Sequence, residues 1–261
     1  MSTAATYDAP HVAGRDDAPG FGRLTRVELR KMYDTRAGFW LLLSGVGLTF
    51  LVAALTVFTG SENGRTFSNV VNNSIQAVNV LLPVVGILLV TSEWSQRTAQ
   101  VTFTLVPQRG RVLSAKILAS VVLALSAFVV AFGVSALFTA LGGEAADGGS
   151  VWSLGGGLLL QTILFTVVSM LIGLALGSAI LLSAPAIVAS FVLPIALGAV
   201  TNLIGGLEGF GHWVNQGDSL GNLTDHTLSG HEWAQVVTTL LLWLALPLGI
   251  GLYRFLRGEV R

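Results

Sequence analysis

Residues 91 to 116 read TSEWSQRTAQVTFTLVPQRGRVLSAK, a polar island between two long apolar runs. It opens with Glu93-Trp94 at the end of one run, continues through Arg97-Thr98, breaks at Pro107, and enters the next run through Arg109, Arg111 and Lys116. In a chain this apolar, such an island marks where a membrane protein emerges and touches something outside the lipid.

The composition around it sets the class. The 261 residues are 52% hydrophobic and 11% charged, with 31 glycines, and the mean hydropathy is +0.74. A soluble domain carries roughly a quarter charged residues, so the chain is read as an integral membrane protein with one lipid-embedded domain. The absence of cysteine excludes a disulfide, a thiolate metal site and a cysteine nucleophile.

Six segments reach the length needed to cross about 30 Å of hydrocarbon at 1.5 Å per residue. They are Phe39 to Thr59, Val70 to Val90, Ile117 to Leu141, Trp152 to Ser178, Pro185 to Ile204 and Ala234 to Tyr253. The expected fold is therefore all-α and polytopic. The fourth and fifth spans are inferred together, because Gly148 to Leu207 holds no charge and is twice one crossing in length. Ser178 to Pro185, with small residues and a proline, is the expected turn between them. Residues 1 to 20 read as a disordered tail that is retained, since no signal-type apolar core appears. Residues 21 to 37 read as an amphipathic interfacial helix, with Arg23, Arg26, Arg30 and Asp34 on one face and Phe21, Leu24 and Met32 opposite. The six-helix domain fills residues 38 to 261.

Thirteen of the 14 Lys and Arg residues fall before the first span, within 91 to 116, or after the last span; Arg65 is the exception. With an even number of spans these regions share one face, and the excess marks it as cytoplasmic. Both termini are thus expected inside a cell membrane. The outer face is acidic, and its largest piece is a Gly-rich loop at 205 to 233. There His212, His226 and His231 lack metal-ligand spacing and read as exposed loop residues, while Phe210 to Val214 is apolar enough to dip back toward the interface.

No catalytic constellation is present. None of the six proposed spans contains Asp, Glu, Lys or Arg, which disfavours a carrier driven by a titrating carboxylate. A phosphate-binding loop is excluded, because the two lysines are followed by Met32 and Ile117 rather than Ser or Thr. Inside the membrane the conspicuous polar feature is a stripe on the second span, Asn69, Asn72, Gln76 and Asn79, with Asn73 beside it. It must face protein or water. Two readings stand level: interhelical hydrogen bonding worth on the order of 0.6 kcal/mol per contact, or the wall of a substrate path or subunit interface. Pro83 can kink this helix, Gln161 and Asn202 read as packing residues, and Gly173 and Gly177 make a weak small-xxx-small pattern.

Taken together, the basic N-terminal helix, six spans, inward termini and long second loop resemble the permease subunit of ABC type-2 exporters. The motif-level likeness lies in the order Glu93-Trp94, Arg97-Thr98, Pro107, Arg109, Arg111 and Lys116. It is similar to that family's acidic-aromatic pair after the second span, a following Gly-Thr, a Pro-x-Ser-Arg turn, and a lysine opening the third span. The sequence departs in Arg97 before Thr98 and in Gln108-Arg109-Gly110-Arg111 after the proline, which leaves subfamily and substrate unreadable. Singly, Glu93 and Arg97 are an i, i+4 pair worth a few tenths of a kcal/mol, and Arg109, Arg111 and Lys116 suit lipid headgroups. Their joint order carries the resemblance.

The resemblance implies that Glu93 to Pro107 forms a coupling helix seated on a separate cytoplasmic ABC ATPase, which binds the ATP and magnesium; no cofactor is expected in this chain. It implies a second permease copy, identical or related, and a path lined partly by the second and fifth spans, with Asn72, Gln76 and Asn79 on it. The expected function is ATP-driven export without enzymatic activity in this chain, in contact with the bilayer and not with nucleic acid. The alternatives are a non-transporting membrane scaffold or sensor, and a secondary carrier.

Overall fold

The computed structural model describes residues 20–61, 64–95, 109–144, 150–204 and 208–257. Within them the chain is helical throughout: α1 Phe21–Asp34, α2 Arg36–Thr59, α3 Phe67–Asn79, α4 Leu82–Ser95, α5 Arg109–Gly142, α6 Gly156–Ile180 and α7 Ser183–Leu203. There follow α8 Glu208–Val214, α9 Gln216–Asp225, α10 Gly230–Leu240, a π-helical turn Leu241–Ala245 and α11 Leu246–Arg257. Six helices among the described residues are long and apolar enough to span a bilayer: Arg36–Thr59, Phe67–Glu93, Gly110–Gly142, Gly156–Ile180, Ser183–Leu203 and Gly230–Arg254. The protein is an all-α, multi-pass membrane protein, and each expected span corresponds to one of these helices.

The third span differs from expectation in a way that matters later. It begins at Gly110 rather than Ile117, so Lys116 lies inside a membrane-length helix instead of opening it. Likewise the second spanning helix runs to Glu93. The charge-free spans of the sequence reading thus have charged residues at one end.

The second spanning segment is two helices. Neither Val80 nor Leu81 belongs to α3 or α4, and the Leu81 amide closes a tight turn on the Val78 carbonyl at 2.8 Å. Pro83 enforces the break, since it has no N–H to donate and its ring clashes with the preceding turn. Between α6 and α7 the turn is shorter than expected: Leu181 takes a left-handed conformation (φ 64°) and donates its amide to the Gly177 carbonyl at 2.8 Å. This ends α6 in the way glycine usually does.

α6 is the central strut, with 61% of its spanning window buried against 11% for α7 and 17% for α2. Phe165, Val168, Ile172 and Leu176 join one apolar core with Ile75, Leu220, Leu223 and Trp243, while Met170 and Leu174 join a second with Leu82, Val85 and Leu89. The α4–α6 contact is closest where glycines meet. A Cβ on Gly173 would fall 2.1 Å from the Pro83 carbonyl oxygen, and one on Gly86 would fall 2.3 Å from that of Met170. Gly177 faces Ile87 Cα at 3.0 Å by the same measure. Lipid tails are as apolar as the helices, so close backbone approach is what holds such pairs together. The small-xxx-small pattern is therefore a packing seam, completed by Gly86 on the partner helix.

Residues 208 to 233 are not a plain loop. α8 and α9 form a helical cap whose Leu220 and Leu223 enter the core, and α8 covers the stretch expected to dip back. The π-turn, which inserts one extra residue into a helix, places Trp243 so that its indole N–H donates to the Val214 carbonyl at 2.8 Å. Thr239 donates to the Trp213 carbonyl at 3.3 Å.

If the seam holds the bundle, Gly173→Ala costs about 1–3 kcal/mol through overpacking. Gly133→Ala, at a position with nothing within 4 Å, leaves stability unchanged. Thermal challenge in detergent followed by size-exclusion chromatography reads the difference; equal survival of the two variants refutes the seam.

Candidate functional site

Two places in the bundle hold chemistry, one at each end. At the end where α1 lies, four alternating charges are packed together. Lys116 Nζ of α5 pairs with Glu28 Oε2 of α1 at 2.6 Å and with Glu93 Oε1 of α4 at 3.2 Å. It also donates to the Leu89 carbonyl at 3.0 Å. Lys31 of α1 pairs with Glu28 Oε1 at 2.7 Å and with Glu93 Oε1 at 2.5 Å. Lys116 has no exposed surface, and Glu28 and Glu93 are 4% exposed each.

Local sequence explains how the charges reach the interior. Thr25, Glu28 and Met32 recur at three- and four-residue steps, which puts them on one face of α1, and that face is the buried one. It is the face opposite the arginines, as expected, with Met32 buried on it; Phe21, in the first turn, is 39% exposed. The basic stripe of Arg23, Arg26 and Arg30 stays exposed. Burial works against the charge of Lys31, but the Glu28 and Glu93 carboxylates outweigh it and hold its ammonium above the usual lysine range. A raised lysine pKa adds stability that is complete below the unfolded value and lost only as pH rises through the folded one, so at neutral pH the contact is fully present.

This cluster changes what Glu93 does. Expected to face a partner, its carboxylate is instead engaged inside the chain, binding the end of α4 to α1 and α5. Thr91 extends the tie with a hydroxyl contact to Ser183 of α7 at 2.7 Å, and Arg254 of α11 donates to the Ala179 carbonyl. Arg111 is half-buried in the first turn of α5. Trp94 and Arg109 lie in helical backbone, with side chains outside the described residues, and Arg97, Thr98 and Pro107 lie wholly outside them. Sequence reading missed Glu28, Lys31 and Lys116. The available signal was a lone glutamate in a basic helix, in step with Thr25 and Met32.

At the other end α3, α4, α6, α7 and α9 enclose a cleft of about 490 Å³. Its polar lining is Gln76, Asn79, Ser169, Ser190, Gln216 and Asp225, and its walls include Pro83, Phe165, Phe191, Pro194 and Ile195. Pro83, just after the break, and Pro194, inside α7, both line it. The stripe on α3 divides here. Asn72 Nδ2 donates to Asp225 Oδ1 at 3.4 Å and Gln76 Nε2 to Thr224 Oγ1 at 3.2 Å, both on α9, and Asn73 turns away to Thr56 at 3.3 Å. Asn79 is 9% exposed, and neither atom of its amide has a hydrogen-bond partner. An unsatisfied buried polar group costs about 1–3 kcal/mol, and among the described residues nothing offsets that cost for this amide.

Gln161 of α6 secures α9 over the cleft. Its amide donates to the His226 carbonyl at 2.9 Å and accepts from the Leu228 amide at 3.2 Å, which is the packing role expected of it. Glu232 closes a capping box with Ser229 and meets His226 Nε2 at 2.7 Å. His212, His226 and His231 are all exposed, and among the described residues no His, Asp and Glu group is placed to hold a metal ion.

Lys116→Met leaves two buried carboxylates with one cation and costs about 3–5 kcal/mol. The Glu28→Gln/Lys116→Met double variant loses less than the sum of its single variants, by about 1–3 kcal/mol, in thermal survival of monodisperse protein. Strict additivity refutes the pairing. No family model matches the sequence and a search of curated proteins finds no match, so the reading of both ends rests on their residues.

Proposed function

We propose that this protein is the membrane-spanning subunit of an ATP-driven exporter resembling the ABC type-2 permeases. The observation that carries the reading is the charge cluster of Glu28, Lys31, Glu93 and Lys116, buried except for the half-buried Lys31. It clamps both roots of the polar segment at 96 to 108 to α1, so a displacement of that segment reaches α4 and α5 together. α4 in turn packs on α6 through the glycine seam, and both helices wall the cleft. Force at one end of the bundle thus has a rigid route to a ligand-ready amide at the other.

In this reading the end bearing α1 is cytoplasmic, by the lysine and arginine excess. A separate ABC ATPase supplies nucleotide hydrolysis and docks on the segment containing Trp94, Arg97, Thr98, Pro107, Arg109 and Arg111. A second copy or a relative covers part of the broad apolar faces of α2 and α7, and lipid covers the rest. The unpartnered Asn79 favours transport over a scaffold, which has no use for an unsatisfied amide beside an open cleft. A secondary carrier stands second: among the described residues Asp225 is the one carboxylate lining the cleft, but it sits at the end of a short helix rather than within a span.

Affinity purification of the tagged full-length protein in mild detergent tests the reading. A stoichiometric ATPase chain is expected to co-purify, and Arg97→Ala/Thr98→Ala is expected to lower the recovered ATPase activity at least tenfold while the permease stays monodisperse. Purification of the permease without any ATPase, or undiminished activity in the variant, overturns it.

A further inference from the structure

We infer that the cleft between α3, α4, α6, α7 and α9 accepts a cationic amphiphile, with Asp225 selecting the charge and Asn79 binding a polar group on its body. The inference rests on reading the cleft as the place where cargo is held, and it adds the chemical class of that cargo.

Charge comes first. Among the described residues, Asp225 is the only charged one lining the cleft, with no Lys, Arg or His. Its carboxylate accepts one long bond from Asn72, at 3.4 Å, from a neutral amide that leaves the negative charge uncompensated. The neighbouring charged groups are engaged elsewhere, His226 with Glu232 at 2.7 Å and Asp218 with Asn215 at 3.0 Å. Asp225 is solvent-exposed at the cleft, where its carboxylate attracts a cation and repels an anion.

The shape and walls supply the rest. A volume of about 490 Å³ falls within the range of about 300–1,000 Å³ typical of small-molecule sites, so a body of a few fused rings fits and a folded domain does not. Phe165, Phe191, Pro83, Pro194 and Ile195 offer it apolar contact, and an aromatic face beside a bound cation adds attraction of its own. Asn79 also lines the cleft, with Ser169, Gln76 and Gln216, and among the described residues nothing satisfies the buried donor and acceptor of its amide. A ligand carrying an amine, amide or hydroxyl on an apolar frame satisfies that amide; a pure hydrocarbon chain leaves it unpaired, which is the costly state.

The test uses the full-length chain in nanodiscs of neutral phosphatidylcholine, with empty discs as background and no nucleotide or partner present. Rhodamine 6G, a ring cation with N–H donors, and 8-anilinonaphthalene-1-sulfonate, an anionic amphiphile, are titrated and followed by fluorescence anisotropy. Saturable rhodamine binding above background is expected, with no matching signal from the sulfonate. Asp225→Asn and Asn79→Leu are each expected to raise the rhodamine Kd about tenfold, in discs that elute as the parent does. Binding of both dyes alike, no saturable rhodamine binding, or unchanged affinity in Asp225→Asn overturns the inference. The comparison of two dyes on the unaltered protein decides even where a variant fails to fold. An ATPase that co-purifies beside a cleft without cation binding sinks this inference alone. Selective cation binding without any ATPase leaves it standing and removes the exporter reading.

Discussion

The structure depends on an ion quartet, three of whose members, Glu28, Glu93 and Lys116, are buried. Lys116 has no exposed surface, and its two carboxylate partners are almost as deeply buried. A lone charge in that setting costs several kcal/mol, and what makes the arrangement tolerable is the alternation of sign across three helices. The consequence is mechanical. α1 cannot lift away from α4 and α5 without breaking the Glu28–Lys116 and Lys31–Glu93 pairs, so an N-terminal helix that composition alone describes as a surface float is built into the bundle. Its exposed arginines still suit an anionic surface, but its position is set from the other face.

A second constraint acts along the bundle. Gly86, Gly173 and Gly177 bring α4 and α6 to backbone contact, and the interruption before Pro83 lets α4 take this path while α3 leans toward α9. The helical pattern of this span is interrupted at Val80 and Leu81, and the cleft lies beside the interruption. Pro194, within the continuous helix α7, lines the opposite wall. Both prolines mark places where a backbone hydrogen bond is missing, and in a membrane such places persist only where protein or a water-lined cavity covers them.

The polar stripe on the second span shows how tertiary context assigns roles within one pattern. Asn72, Gln76 and Asn79 have the same periodicity, and the sequence offers no ground for separating them. The first two meet α9 and act as packing. Asn79 lies one turn further along, beyond the reach of α9 and beside the break, and is left with an open amide. Glu93 shows the converse. Its place in an exporter-like motif suggests an outward role, yet Lys31 and Lys116 draw it inward, because an adjacent buried cation competes strongly for a carboxylate near a low-dielectric interior.

From the sequence alone came the membrane class, the six spans to within a few residues at most ends, the concentration of positive charge, the turn near Ser178 to Pro185 and the kink at Pro83. These are one-dimensional properties: hydropathy over 20 residues, the shortage of charge and the missing N–H of proline act on the chain wherever it folds. Only the tertiary structure decided that Glu28, Lys31, Glu93 and Lys116 form one cluster, that residues 208 to 233 are a helical cap, and that Asn79 and Asp225 share a cleft. Those contacts join residues 62, 88 and more than 140 positions apart, and which face of a uniformly apolar helix turns inward is set by its neighbours, since periodicity is silent where every face is greasy.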